Sequence, residues 1–90
     1  MIHLEPPYEK IGRITHFFPK AGVAIIELTA SVKNGDRIVI RGGTTNIEQT
    51  IESMEIEHCK ILTVDAGKSI GLKVAGRVRE ADVVYRVRST

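Results

Sequence analysis

Asn46-Ile47-Glu48-Gln49-Thr50-Ile51-Glu52-Ser53-Met54-Glu55-Ile56 is the stretch on which the fold turns. With a period of 3.6, Ile47, Ile51 and Met54 fall at i, i+4 and i+7, and Asn46 stands where an N-cap would, so an amphipathic helix fits. With a period of two, Ile47 and Ile51 share one parity while Met54 and Ile56 share the other. A strand therefore needs a bulge or bend near Glu52-Ser53, as happens where barrel strands turn corners, and it then buries Met54 and Ile56 together.

The flanks favour strands. Arg37-Ile38-Val39-Ile40-Arg41 follows Lys33-Asn34-Gly35-Asp36, whose Asn-Gly pair tolerates positive φ and is a strong hairpin signal. Upstream, Ile11 to Phe18 and Val23 to Leu28 are rich in strand formers and are separated by the turn residues Pro19-Lys20-Ala21-Gly22. Downstream, Asp65-Ala66-Gly67-Lys68 precedes the alternation Ile70, Leu72, Val74, and Val83, Tyr85, Val87 alternate with Val84, Arg86, Arg88. This last pattern assigns Tyr85 to the core. Twelve isoleucines and nine valines against four leucines and six alanines agree with a pleated, half-buried architecture. Six or so short strands with regular turns predict an all-β fold, a small closed barrel.

The chain has 90 residues, enough for one compact core and too few for a complete GTPase with appended domains. Pro6-Pro7 keep the start extended, so residues 1–10 read as a tail and 11–90 as the single domain. Thirteen basic against eleven acidic side chains give a net charge of +2, too slight to announce a nucleic-acid partner. The charges are unevenly placed: Glu48, Glu52, Glu55 and Glu57 lie in a stretch without lysine or arginine, whereas Lys68, Lys73, Arg77, Arg79, Arg86 and Arg88 face only Glu80 and Asp82. No apolar run is long enough to span a bilayer and the first residues do not form a signal peptide, so a cytoplasmic protein is expected. The lone Cys59 agrees with a reducing compartment and reads as a small buried hydrophobe.

Several segments, in this order and at these intervals, resemble the second domain of translational GTPases, the β-barrel that follows the nucleotide domain in elongation factor Tu. They are Gly22-Val23-Ala24-Ile25-Ile26-Glu27-Leu28, Val32-Lys33-Asn34-Gly35-Asp36 before Ile38-Val39-Ile40, Ile51-Glu52-Ser53-Met54-Glu55, Ala66-Gly67-Lys68-Ser69-Ile70-Gly71-Leu72 and Val78-Arg79-Glu80-Ala81-Asp82-Val83-Val84. The resemblance implies strands across 47–56 and a closed Greek-key, SH3-like barrel. In that family the domain helps hold the aminoacylated 3′ end of transfer RNA, and Glu55 matches its pocket glutamate. Three departures argue against aminoacyl-end recognition: His58 replaces an arginine, Ser69 an asparagine and Lys73 a leucine lining the adenine pocket. Similar barrels are appended to some collagenase-like peptidases, so the fold alone does not imply translation.

Candidate chemistry is sparse. Gly67-Lys68-Ser69 ends like a phosphate loop, but the pattern needs a glycine at position 62, where Leu62 stands, so GTP binding is not expected. His58 and Cys59, adjacent on a strand, would point to opposite faces and could not share a metal ion, and His16 reads as a cap beside Phe17 and Phe18. No metal, cofactor or catalytic nucleophile is expected. Glu55 with His58 could act as a recognition pair, and Arg77 and Arg79 with Lys73 could meet phosphates. The binding residues expected are thus Glu55, His58, Lys73, Arg77 and Arg79. The first functional expectation is a non-catalytic module contacting transfer or ribosomal RNA or the translation machinery. The second is a protein-interaction or accessory subunit docking on a separately encoded enzyme such as a collagenase-like peptidase.

Overall fold

The computed structural model describes residues 8–87, so the first seven residues of the expected tail, and Arg88, lie outside the described residues. Ten strands form: β1 (Tyr8–Phe18), β2 (Val23–Leu28), β3 (Val32–Lys33), β4 (Arg37–Arg41), β5 (Asn46–Thr50), β6 (Met54–Ile56), β7 (Cys59–Ile61), β8 (Thr63–Val64), β9 (Ser69–Lys73) and β10 (Val83–Val87). Eight of them build one antiparallel sheet in the order β5-β4-β10-β1-β2-β9-β6-β7, and β3 pairs with β8 as a separate ribbon. The all-β expectation holds.

The long β1 organises the sheet. It pairs with β10 along its first half and with β2 along its second, and a register shift in each ladder, between Lys10 and Gly12 and between Ile14 and His16, bends it. Gly12 lies at the bend because a Cβ there would stand 2.5 Å from the Glu27 carbonyl oxygen. One face of the curved sheet carries Ile11, Ile14, Ala24, Ile26, Ile38, Ile40, Ile70, Leu72 and Val84, all essentially inaccessible to water, and these meet in a single core. Alternation in β2, β4 and β9 produces this face directly.

The deciding stretch is two strands. β5 runs antiparallel to β4, the chain leaves the ladder over residues 51–53, and β6 then joins β9 on the far side of the sheet. Ile51 and Met54 are buried, whereas Ile56 is only partly so and packs on the core from its margin. The helical spacing of Ile47, Ile51 and Met54 is thus produced by a change of ladder, at the bend the strand reading requires.

The expected closed barrel does not form. The sheet has two ends, β5 and β7, and no ladder joins them. The reason lies in the same three residues: a change of ladder at 51–53 carries the chain past the place where β5 would need a second partner. What crosses instead is one side chain. Gln49 donates from Nε2 to the Lys73 carbonyl (2.9 Å) and accepts on Oε1 from the Ala75 amide (2.7 Å), filling the hydrogen-bonding positions a neighbouring strand would take.

Two smaller expectations also change. The Asn34-Gly35 turn is present, with Gly35 at φ 97° and Asp36 Oδ2 accepting from the Lys33 amide, but it does not close a hairpin, because β3 pairs with β8 while β4 pairs with β10 and β5. In β10 the parity is reversed: Val84 is fully buried and Tyr85 faces outward, pairing in register with Val39 and Lys10. Tyr85 is therefore not a core residue.

Candidate functional site

Glu55 lies on β6, opposite Lys60 of β7 and Gly71 of β9. Because Gly71 presents no side chain, the surface is hollowed there into a depression of about 300 Å³, lined by Val23, Ser53, Glu55, Lys60, Gly71 and Lys73. The structure therefore brings Glu55 and Lys73 together and adds Lys60 and Ser53, which the sequence reading did not single out. A larger groove of about 560 Å³ continues from Ser53 and Lys73 along the open seam to Arg37 and Glu48. Glu55, partly exposed, shares this depression with two ammonium groups, and no ion pair joins it to either among the described residues. Among the described residues no hydrogen bond joins Ser53 in this depression to a base.

His58 stands apart from that depression. Glu57 (φ 51°) and His58 (φ 67°) form the two-residue turn between β6 and β7, both left-handed as a type I′ turn requires. The exposed histidine is a turn residue, and no ion pair joins it to Glu55 among the described residues. Arg77 borders a separate hollow of about 300 Å³ beside Phe17 and Pro19. Arg79 belongs to the turn before β10, where its amide donates to Asp82 Oδ2 at 2.9 Å. His16 packs on Phe18 at 4.4 Å between ring centroids, with its Nδ1 3.7 Å from Glu80. Cys59, expected to be buried, is exposed because its edge strand is covered on one side only.

Arg86, counted in the basic carboxyl-terminal part, is engaged internally. Its Nη1 donates to the Ser31 carbonyl (2.7 Å) and Asp36 Oδ2 (3.1 Å), and Nε and Nη2 both reach Glu9 Oε1. Partial burial works against its charge, but hydrogen bonds and Coulombic attraction from Glu9 and Asp36 outweigh this, so its pKa is raised. This arginine ties β10 to β1 and to the loop before β4.

The outer face of β1, β10 and β4 carries a feature the sequence reading missed. Tyr8 and Tyr85 meet edge to face, 6.3 Å between centroids at 63°, and the Arg41 guanidinium lies 5.4 Å from the Tyr8 ring centre. With Val39 they line a cleft of about 310 Å³. The signal lay in the parity of β10: once Val84 faces the core, Tyr85 must face out beside Val39.

No family model matches the chain. It is 40% identical over 82 residues to an uncharacterized protease of Methanocaldococcus jannaschii; the match takes in 90% of this chain and 20% of that protein. The chain thus spans about a fifth of the length of the curated relative it matches. Similar solved structures include the C-terminal domain of a Geobacillus thermoleovorans protein described as a U32 peptidase, with a TM-score of 0.81 at 18% identity, covering 87% of this chain and 91% of that one. The selenomethionine variant of that domain matches with a TM-score of 0.80 at 19% identity, covering 84% and 96%. The shared feature at this identity is the fold.

These findings overturn the resemblance to elongation factor domain 2, and with it the description of the chain as an elongation-factor-like, RNA-binding protein. The misleading segments are ordinary strands joined by glycine turns. Asn34-Gly35-Asp36 and Ala66-Gly67 answer a backbone requirement for positive φ at Gly35 and Gly67, which any small antiparallel β-fold can impose. Arg86, counted in the basic carboxyl-terminal part, and Tyr85, assigned to the core by alternation, serve an internal network and an outward cleft.

Proposed function

We propose that the chain is a non-catalytic accessory β-domain that works beside the catalytic portion of a collagenase-like peptidase. The observation that carries this reading is the pair of coverages: nearly the whole chain aligns at 40% identity, yet it accounts for only 20% of a far longer protease. The fold likeness to a domain at the carboxyl end of a protein described as a U32 peptidase supports the same reading. So does the surface, which offers shallow polar and aromatic hollows and no assembled nucleophile among the described residues.

The test is complementation. The purified chain alone is expected to hydrolyse no peptide, gelatin or casein, whereas adding it to the Methanocaldococcus protease deleted for the matching segment is expected to give a stoichiometric complex by sedimentation. Hydrolysis by the chain alone, or no association with the truncated protease, would overturn the reading.

A further inference from the structure

The outward cleft is unusual for the solvent side of a sheet. Val39 stands on the face opposite the core and takes no part in the core cluster, yet it is only 1% exposed. Tyr8, Tyr85 and Arg41 wall the cleft around it, and Tyr8 stays 38% exposed. Two partly exposed aromatic rings that carry hydroxyls at their rims therefore stand on the second side of the sheet around an already buried Val39.

Two cations beside it, Arg41 and the exposed Lys10 in register with Tyr85, have no carboxylate partner among the described residues. On the same outer surface Arg13 meets Glu27 at 3.0 Å and Arg37 meets Glu48 at 3.1 Å, while Arg86, on the opposite side of β10 from Tyr85, is held by Glu9 and Asp36. Arg41 has no carboxylate partner among the described residues and rests against Tyr8. A tyrosine pair around an apolar floor, with an arginine whose counter-ion is missing, has the composition of the centre of a protein interface: aromatic and arginine anchors concentrate there and other charges are depleted.

We infer that the Tyr8–Val39–Arg41–Tyr85 face is the surface by which this domain packs onto the catalytic portion of its peptidase, and that the catalytic portion presents there an apolar side chain flanked by a carboxylate. The inference rests on the accessory-domain reading. The four-fifths of the aligned protease that the chain does not span supply a polypeptide to cover this face, and the uncompensated Arg41 sets the sign of the charge it brings. Insertion of an apolar side chain would complete the burial of the tyrosine rings, and a carboxylate would reach the guanidinium without displacing it from Tyr8.

The experiment is a full-length chimera in which this chain replaces the matching segment of the Methanocaldococcus protease, compared with the free chain by hydroxyl-radical footprinting read by mass spectrometry. Tyr8, Phe18 and Leu62 are the large hydrophobic side chains exposed among the described residues, and each marks a different surface. Tyr8 oxidation is expected to fall about fivefold in the chimera, as burial in a dry interface centre requires, with Phe18 and Leu62 unchanged. Arg41→Glu in the chimera is expected to return Tyr8 to the rate of the free chain, while Phe18→Ala leaves it protected. Protection of Phe18 or Leu62 in place of Tyr8 would overturn the assigned face and leave the accessory-domain reading standing. Protection of none of the three would overturn both. The same footprinting on the unaltered protease, at the positions aligned with Tyr8 and Tyr85, gives the result if the chimera does not fold.

Discussion

Asp82 shows how one side chain can fix its neighbours' identities. It is almost fully buried, its Oδ2 accepts from the Arg79 amide, its own amide returns a bond to the Arg79 carbonyl, and its main-chain oxygen accepts from Ile14. The carboxylate lies directly over Gly42, so a Cβ at that position would overlap it, whereas Gly43 next door faces open space. Gly42→Ala should therefore cost about 1–3 kcal/mol in urea unfolding, by displacing a side chain that satisfies a turn, and Gly43→Ala should stay within about 0.5 kcal/mol. Equal effects of the two substitutions would mean that the Asp82 carboxylate can swing away freely. Arg86 poses the complementary case. Removing its guanidinium in Arg86→Met leaves the largely buried carboxylate of Asp36 facing Glu9 without a cation, which should cost about 2–4 kcal/mol in the same measurement. The raised pKa keeps the guanidinium charged well above neutrality, and its stabilisation would be lost as pH climbs through its own titration, so the cost of the substitution should be flat between pH 6 and pH 9.

At the level of strands, the pattern of Ile38 and Ile40, or of Ile70 and Leu72, was legible because one face of the sheet is buried and the side-chain period is two. The stretch 47–56 was legible only as far as the need for a break, since sequence parity records that the chain must turn but not which ladder it will join. Met54 ends fully buried and Ile56 at the margin, so Met54→Ala should cost about 2–5 kcal/mol and Ile56→Ala clearly less, measured by thermal or urea unfolding. Equal costs would place β6 in another register. The strands β3, β7 and β8, of two or three residues each, were not readable because so short a segment carries no periodicity. Tyr85 was misassigned for a related reason: in Val83-Val84-Tyr85 both parities are apolar, and the pattern cannot choose between them.

For the molecule as a whole, the all-β class and one core followed from composition and alternation, while closure did not, because closure depends on contacts between segments distant in sequence. The candidate site was legible in part. Glu55 and Lys73 lie around one depression, whereas His58 stands apart from it in a tight turn, and the basic carboxyl-terminal half includes both the internally bound Arg86 and the exposed Arg77 and Arg79. Charge counted along a chain does not distinguish a cation that meets solvent from one already bound.

The Gln49 bridge makes the fold a split ring held by a single clasp. Among the described residues Lys73 and Ala75 hydrogen-bond to β5 only through that carboxamide, with Ile47 packed against Gly76 beside it, so the seam should breathe independently of the ladders on either side. In hydrogen-exchange experiments the Ala75 amide should report opening of the clasp alone, exchanging well before the amides of β1 and β2. Gln49→Leu should abolish its protection while leaving Ile14 and Ile26 protected. If Ala75 instead exchanges together with the core in the native protein, the ring does not open at its split, and its two ends are held by the packing beneath them.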